Sequence, residues 1–326
     1  MIKAKQPART YAALLSLHGR LIIAVFLLFT LSALKGQSLY VKTFGKPTGI
    51  PLVFLHGGPG YNSVLFEVTA AKKLAEQGFY VVVYERRGEG RSLDSAALFT
   101  FRQTFDDLNK IMRELKLEKA NLIGHSFGGI VATLFAEKYP EKVSSVILVS
   151  APVTLQQTFK TIIKSSKQIY KSQKNDEMLD YMEVLETTDT ASIEYSSGCF
   201  YHAMQNNFYT PKELTEEAQK IYLKLGSDTL VMEYAMQMNE TAPMGFWKNE
   251  KYTTIDLRSN LKKLVSKNVN IYGLFGKDDG LYSKEQVKEL ENLIGSDKVK
   301  YYDNCSHNVF IDQQDQFIKA LKNWTR

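Results

Sequence analysis

Short apolar runs alternate with longer amphipathic segments along most of this chain, and that alternation limits the folds open to it. "LYVKTF" (Leu39 to Phe44) and "PLVFLH" (Pro51 to His56) read as strands, joined by the turn-like "GKPTGI". The segment from Ser63 to Gln77 reads as a helix with Leu74 and Ala75 on its buried side. "FYVVVYE" is a near-continuous apolar run, as expected of a strand covered on both faces. In "TFDDLNKIMRELKL", Leu108, Ile111, Met112 and Leu115 fall at helical spacing, and Thr104 with Asp107 reads as its capping box. The strand "ANLIG", a helix through "IVATLFAEKY" and the strand "VSSVILVS" follow. The expected architecture is a mostly parallel, doubly wound sheet with helices on both faces.

The alternation stops at Ala151 and Pro152 and resumes with "NVNIYGLFG", a helix near "SKEQVKELENLI", the strand "KVKYYD" and the helix "QQDQFIKALKNW". The intervening stretch is rich in Lys, Glu, Gln, Met and Tyr and contains no clear buried strand. "PKELTEEAQKIYLKL" reads there as one amphipathic helix opened by Pro211. The expected layout is therefore a core in two parts, 37–151 and 261–326, interrupted by a helical cap at 152–260.

The formal net charge of +6 belongs mostly to residues 1–36, which carry five basic residues and no acid. The rest of the chain holds 36 basic residues against 35 acidic, which gives no reason to expect a nucleic-acid partner. Within the leader, "LIIAVFLLFTLSAL" (Leu21 to Leu34) follows Arg20 and falls short of the about 20 residues of a membrane span. A basic start, this apolar run and the small residues of "LKGQS" read as an export signal for a periplasmic or extracellular protein. Retention of the segment as a membrane anchor is the alternative. The two cysteines, Cys199 and Cys305, are too few for a disulfide framework and are read as free thiols.

"NLIGHSFGGIVA" contains G-x-S-x-G between a strand ending and a helix, the context in which that pattern raises a nucleophile. Ser126 would then need a base. Of five histidines, His18 lies in the leader, His56 in "HGGPG", His125 beside Ser126 and His202 in the helical insertion. His307, in "DNCSHNVF" just after the last strand, remains. The orienting acid should precede it, and "GKDDG" offers Asp278 and Asp279. Asp279, three residues past Gly276, is preferred because that spacing is common in this arrangement. An oxyanion site needs backbone N–H groups. Gly57 or Gly58 supplies one in this reading, with Gly58 preferred, and Phe127 the second. Neither GxxxxGK[ST] nor HExxH is present.

The motifs "HGGPG" (56–60), "YERRGEGRS" (84–92), "GHSFGG" (124–129), "GKDD" (276–279) and "CSHNVF" (305–310), in this order, resemble the α/β-hydrolase superfamily, and among its members the proline iminopeptidases and related serine hydrolases. The resemblance implies an eight-stranded type of sheet with a helical cap inserted after "VILVS", and neither metal nor organic cofactor. The strand that opens the family sheet has little chain to occupy between the leader and "LYVKTF". The implied activity is hydrolysis of an amide or ester of a small molecule or short peptide through an acyl-enzyme. Proline iminopeptidase-like aminopeptidase action comes first, a small-ester hydrolase second and a non-catalytic binding protein third. Haloalkane dehalogenases and epoxide hydrolases, by resemblance, carry an aspartate where Ser126 stands. Two features depart from the peptidase pattern. The elbow reads "GHSFGG" where those enzymes have a Gly-Gly-Ser-Trp-Gly-like string. The cap also offers only Glu194, Glu233 and Glu240 as partners for a substrate ammonium, each expected to be a solvated surface charge.

Overall fold

The computed structural model describes residues 39–325. The leader read as a signal or anchor lies outside the described residues. Seven strands form one sheet in the order β1-β3-β2-β4-β5-β6-β7. They are β1 (Val41–Phe44), β2 (Ile50–Leu55), β3 (Phe79–Tyr84), β4 (Ala120–His125), β5 (Val143–Val149), β6 (Asn270–Gly276) and β7 (Val299–Tyr302). β1 pairs antiparallel with β3, and every other pairing is parallel. The resemblance implies eight strands, and the described residues hold seven.

The parallel strands read as continuous apolar runs because both faces are covered. Alternate residues divide between two cores. Val53, Leu55, Val82, Leu122 and Leu148 face the helices Phe101–Glu114 and Phe127–Lys138. Leu52, Phe54, Val81, Ile123 and Val149 face the segment 64–76 and the helix Gln314–Trp324. The segment 64–76 is helical as expected, with a π-helical turn at Glu67–Ala71. Leu74 is buried there and Ala75 only half-buried.

Two helix starts differ from the sequence reading. The helix Phe101–Glu114 begins at Thr100, whose side chain accepts from Gln103 N. Thr104 lies inside that helix with its hydroxyl on Thr100 O, and Asp107 pairs with Arg87. Pro211 likewise lies outside its expected helix, which runs Glu216–Leu225 from an N-cap at Thr215. In both cases a threonine able to cap stands at a position where the chain enters from an extended conformation.

The insertion after β5 is helical: Leu155–Gln173, Asp176–Thr187, Ile193–Gln205, Glu216–Leu225 and Thr241–Glu250. Its neck is closed by an antiparallel bridge between Thr154 and Asp256, flanked by Leu155 N to Ile255 O and Leu257 N to Val153 O. Among the described residues no helix is long and apolar enough to cross a membrane.

Candidate active site

β2 sits between β3 and β4, so strand order reverses there, and in open α/β sheets ligands bind outside the carboxyl ends of the strands at such a point. "HGGPG" leaves β2 and "HSFGG" leaves β4 at those ends, with Leu55 paired to Gly124. The loops after β6 and β7 carry Asp279 and His307 at the same edge of the sheet.

Ser126 turns the chain from β4 into the helix Phe127–Lys138 with φ +52° and ψ −122°, a conformation that costs a non-glycine residue about 1–3 kcal/mol. Packing enforces it. A Cβ at Gly124 would lie 2.5 Å from Gly129 Cα, and one at Gly128 would lie 2.0 Å from Leu55 O. The glycines let strand, helix and neighbouring strand approach closely enough to over-determine the turn. Ser126 N also donates to Val149 O at 3.0 Å.

Close approach also joins the acid and histidine loops. A Cβ on Gly276 would lie 2.2 Å from Cys305 O, and Asp278 N donates to that same oxygen at 2.9 Å. Asp279 Oδ2 then lies 2.9 Å from His307 Nδ1. Both residues are buried. Asp279 Oδ1 accepts from Leu281 N at 3.1 Å, which fixes the carboxylate plane. Asp278 points elsewhere, with its side chain 3.9 Å from the Lys212 ammonium and accepting from Lys212 N.

His125 turns away from the serine and sits behind the other histidine. Its Nε2 is 3.1 Å from His307 O, and the two rings are 4.9 Å apart. Burial first, and then the neighbouring His307, push its pKa down to about 3, so it stays neutral. His202 bonds to Tyr170 within the cap.

The loop after β2 is held from beneath. Arg86 donates to His56 O and Gly57 O, each at 2.6 Å, and pairs with Glu89, which accepts from Gly60 N at 2.6 Å. His56 Nε2 accepts from Arg86 N at 3.0 Å, which leaves the proton on Nδ1, 2.9 Å from Gly57 O. Burial and the Arg86 charge hold His56 neutral. Gly57 is the residue that abuts the elbow, since its Cβ position is 3.2 Å from Ser126 Cβ. Gly58, at φ +120°, has its Cβ position on the other side, toward Gly60 N and Arg86, and its N–H belongs to the peptide that follows Gly57. Phe127 is buried, with its ring among Phe101, Phe246 and Tyr252.

The rings of Tyr209 and Tyr282 flank His307 at 5.0 and 6.2 Å, and the sequence reading assigned neither to the site. Tyr209 arrives from the cap. Asp312 was also missed. It accepts from Ser306 N and from the cap residue Tyr222, each at 2.8 Å, and so ties cap to histidine loop. Burial first raises its pKa to about 6. Cys199 and Cys305 are buried free thiols.

The family model for the alpha/beta hydrolase fold matches residues 50–314. The chain belongs to this family. Curated relatives include proline iminopeptidases of Lactobacillus acidophilus, 28% identical over 84% of this chain and 89% of that one, and of Clostridioides difficile, 28% identical over 89% and 95%. A solved proline iminopeptidase-related protein of Thermus thermophilus aligns with a TM-score of 0.59 at 22% identity, covering 88% of this chain and 94% of that one. An esterase from Exiguobacterium antarcticum aligns with a TM-score of 0.57 at 21% identity, covering 88% and 95%. These two likenesses are of fold. The α/β-hydrolase protein described here is thus proline iminopeptidase-like and a hydrolase.

Proposed function

We propose that the α/β-hydrolase fold here carries a serine acyl hydrolase with Ser126 as nucleophile, His307 as general base and acid, and Asp279 as the group that orients His307. The observation that carries this reading is the buried 2.9 Å contact of Asp279 with His307 Nδ1. It leaves Nε2 as the proton acceptor, on a loop packed against the Ser126 elbow. Ser126 Oγ attacks the substrate carbonyl and passes its proton to His307. The N–H groups of Phe127 and of Gly58 receive the oxyanion, since the first opens a helix and the second leaves the loop touching Ser126. His307 then protonates the leaving group, and water releases the acyl group from Ser126.

The substrate class we assign first is the N-terminal amide of a short peptide, prolyl above all, on the similarity to the proline iminopeptidases. A small acyl ester is the second reading. It is favoured by the exposure of Glu194, Glu233 and Glu240, which leaves none of those three buried against a substrate ammonium. Labelling by a fluorophosphonate that Ser126→Ala abolishes is the expected result, and an unlabelled, folded wild-type protein would sink the mechanism. Turnover of proline p-nitroanilide that is lost when its amine is acetylated selects the peptidase. Turnover of p-nitrophenyl esters alone selects the esterase. We also assign export to the apolar run Leu21 to Leu34, as a removed signal. A mature protein that retains Met1 would overturn that assignment.

A further inference from the structure

Arg86 and Glu89 are fully buried, and a buried ion pair adds little stability over well-packed apolar side chains. What the guanidinium touches gives it another use. Its Nε donates to Glu89 Oε1 at 2.8 Å and its Nη2 to Glu89 Oε2 at 2.7 Å. The same fork faces the loop after β2, where Nη1 donates to His56 O and Nη2 to Gly57 O, each at 2.6 Å. Gly57 O also accepts from His56 Nδ1 at 2.9 Å, so both of its lone pairs are engaged. Gly57 O and the Gly58 N–H belong to one trans peptide unit and point in opposite directions. The N–H therefore points away from Arg86, and among the described residues it meets no protein acceptor. Gly58 is half-buried, while the other four residues of "HGGPG" are buried. The guanidinium also lies 5.2 Å from the centroid of the Phe127 ring, so it touches both residues assigned to the oxyanion.

We propose that Arg86 is a positioning residue for the oxyanion: it fixes and polarises the Gly57–Gly58 peptide, which aims and strengthens the Gly58 N–H as a donor to the substrate oxygen. This rests on the acyl-hydrolase reading above. A charged donor on the carbonyl draws electron density from the peptide nitrogen, and hydrogen bonds in such a chain reinforce one another. The chain runs from the guanidinium through Gly57 O and the Gly58 N–H to the substrate, and it is in place before the substrate arrives. When Ser126 Oγ adds to the carbonyl carbon, the C=O π pair moves onto the oxygen and is received by that N–H. When the adduct collapses, the pair returns and the leaving group departs with the proton from His307. Arg86 keeps its protons throughout. The same charge forms when water adds to the acyl-enzyme, so both halves of the reaction gain alike. Glu89 holds the guanidinium against Gly57 and, by accepting from Gly60 N at 2.6 Å, holds the far end of the loop as well.

The test combines Arg86→Met with Glu89→Gln, so that no unpaired carboxylate is left in the core and an acceptor for Gly60 N remains. Rates are taken per fluorophosphonate-labelled site, on whichever of proline p-nitroanilide and p-nitrophenyl butyrate the wild type turns over. Loss of a whole oxyanion donor costs about 10²- to 10³-fold in kcat, and loss of its polarisation should cost about tenfold to a hundredfold. Because both halves of the reaction slow together, KM should stay within about threefold of wild type. The inhibition constant of 1,1,1-trifluorohexan-2-one, whose carbonyl adds Ser126 Oγ and becomes an oxyanion, should rise by the same factor, and that of hexan-2-one should not. A kcat within about threefold of wild type overturns the proposal. So does a loss carried by KM, or an equal loss of affinity for both ketones, since each marks a displaced pocket and not a weakened oxyanion contact. A wild-type protein that turns over neither substrate and takes no fluorophosphonate label fails the parent reading instead.

Discussion

Substituting Gly128 by alanine probes the link between sheet packing and Ser126 Oγ, the proposed reacting oxygen. The added Cβ would stand 2.0 Å from Leu55 O, where ordinary contact begins at 3.4 Å, so the two backbones must part by about 1.4 Å. Neither side yields easily. Leu55 is paired in register with Gly124, and Gly128 is buried near the start of the helix Phe127–Lys138. The start of that helix moves, and Ser126, its N-cap, moves with it relative to His307 and Gly57. A displacement of about 1 Å at a reacting centre costs on the order of a hundredfold in rate. Overpacking costs about 1–3 kcal/mol, offset by up to about 1 kcal/mol from replacing a helical glycine. The expected outcome is a fall in kcat/KM of about a hundredfold or more, with a loss of about 1–2 kcal/mol in urea unfolding. Gly226→Ala is the matched control. Its Cβ meets nothing nearer than Leu223 O at 3.6 Å, and the residue has φ −61°. That variant should retain full activity and gain about 0.4–1 kcal/mol. A Gly128→Ala enzyme within threefold of wild type and equally stable would refute the packing argument.

The two adjacent aspartates should separate sharply. Asp279→Asn should lower kcat by about 10³- to 10⁴-fold by favouring the wrong His307 tautomer, whereas Asp278→Asn should stay within about threefold. Equal losses in both would mean that the acid has been misassigned. Asp312 predicts a stability effect with a definite sign. Its folded pKa of about 6 lies above the ordinary 3.8, so the folded state binds the extra proton between those values. Stability attributable to this group is therefore highest below about pH 4 and declines by about 3 kcal/mol as pH rises through 6. Asp312→Asn should remove that decline in urea melts between pH 4 and 7, and identical slopes for variant and wild type would contradict it.

The sheet was legible because parallel strands covered on both faces must be continuously apolar, and "FYVVVYE" and "VSSVILVS" have no other economical use. The turn at Ser126 was legible because a strained turn between strand and helix needs glycines at fixed offsets, and the place of His307 because it follows the last strand. Helix starts were less so. Thr100 and Thr104 are chemically equal as caps, and only the path of the chain into the helix chose Thr100. The same holds for Thr215 over the expected start at Pro211.

The order of chemical groups along the chain thus determined the fold class and the choice of Ser126 and His307 as the proposed pair, because periodicity and turn chemistry are local properties. Contacts between residues distant in sequence decided the rest. Asp279 rather than Asp278 faces the imidazole because Gly276 lets the β6 loop pass over Cys305. His125 is silenced by burial against His307. Tyr209 reaches the site from the cap, and Arg86 braces the loop after β2 from the end of β3. None of these has a sequence period, since each depends on where two backbones cross in space.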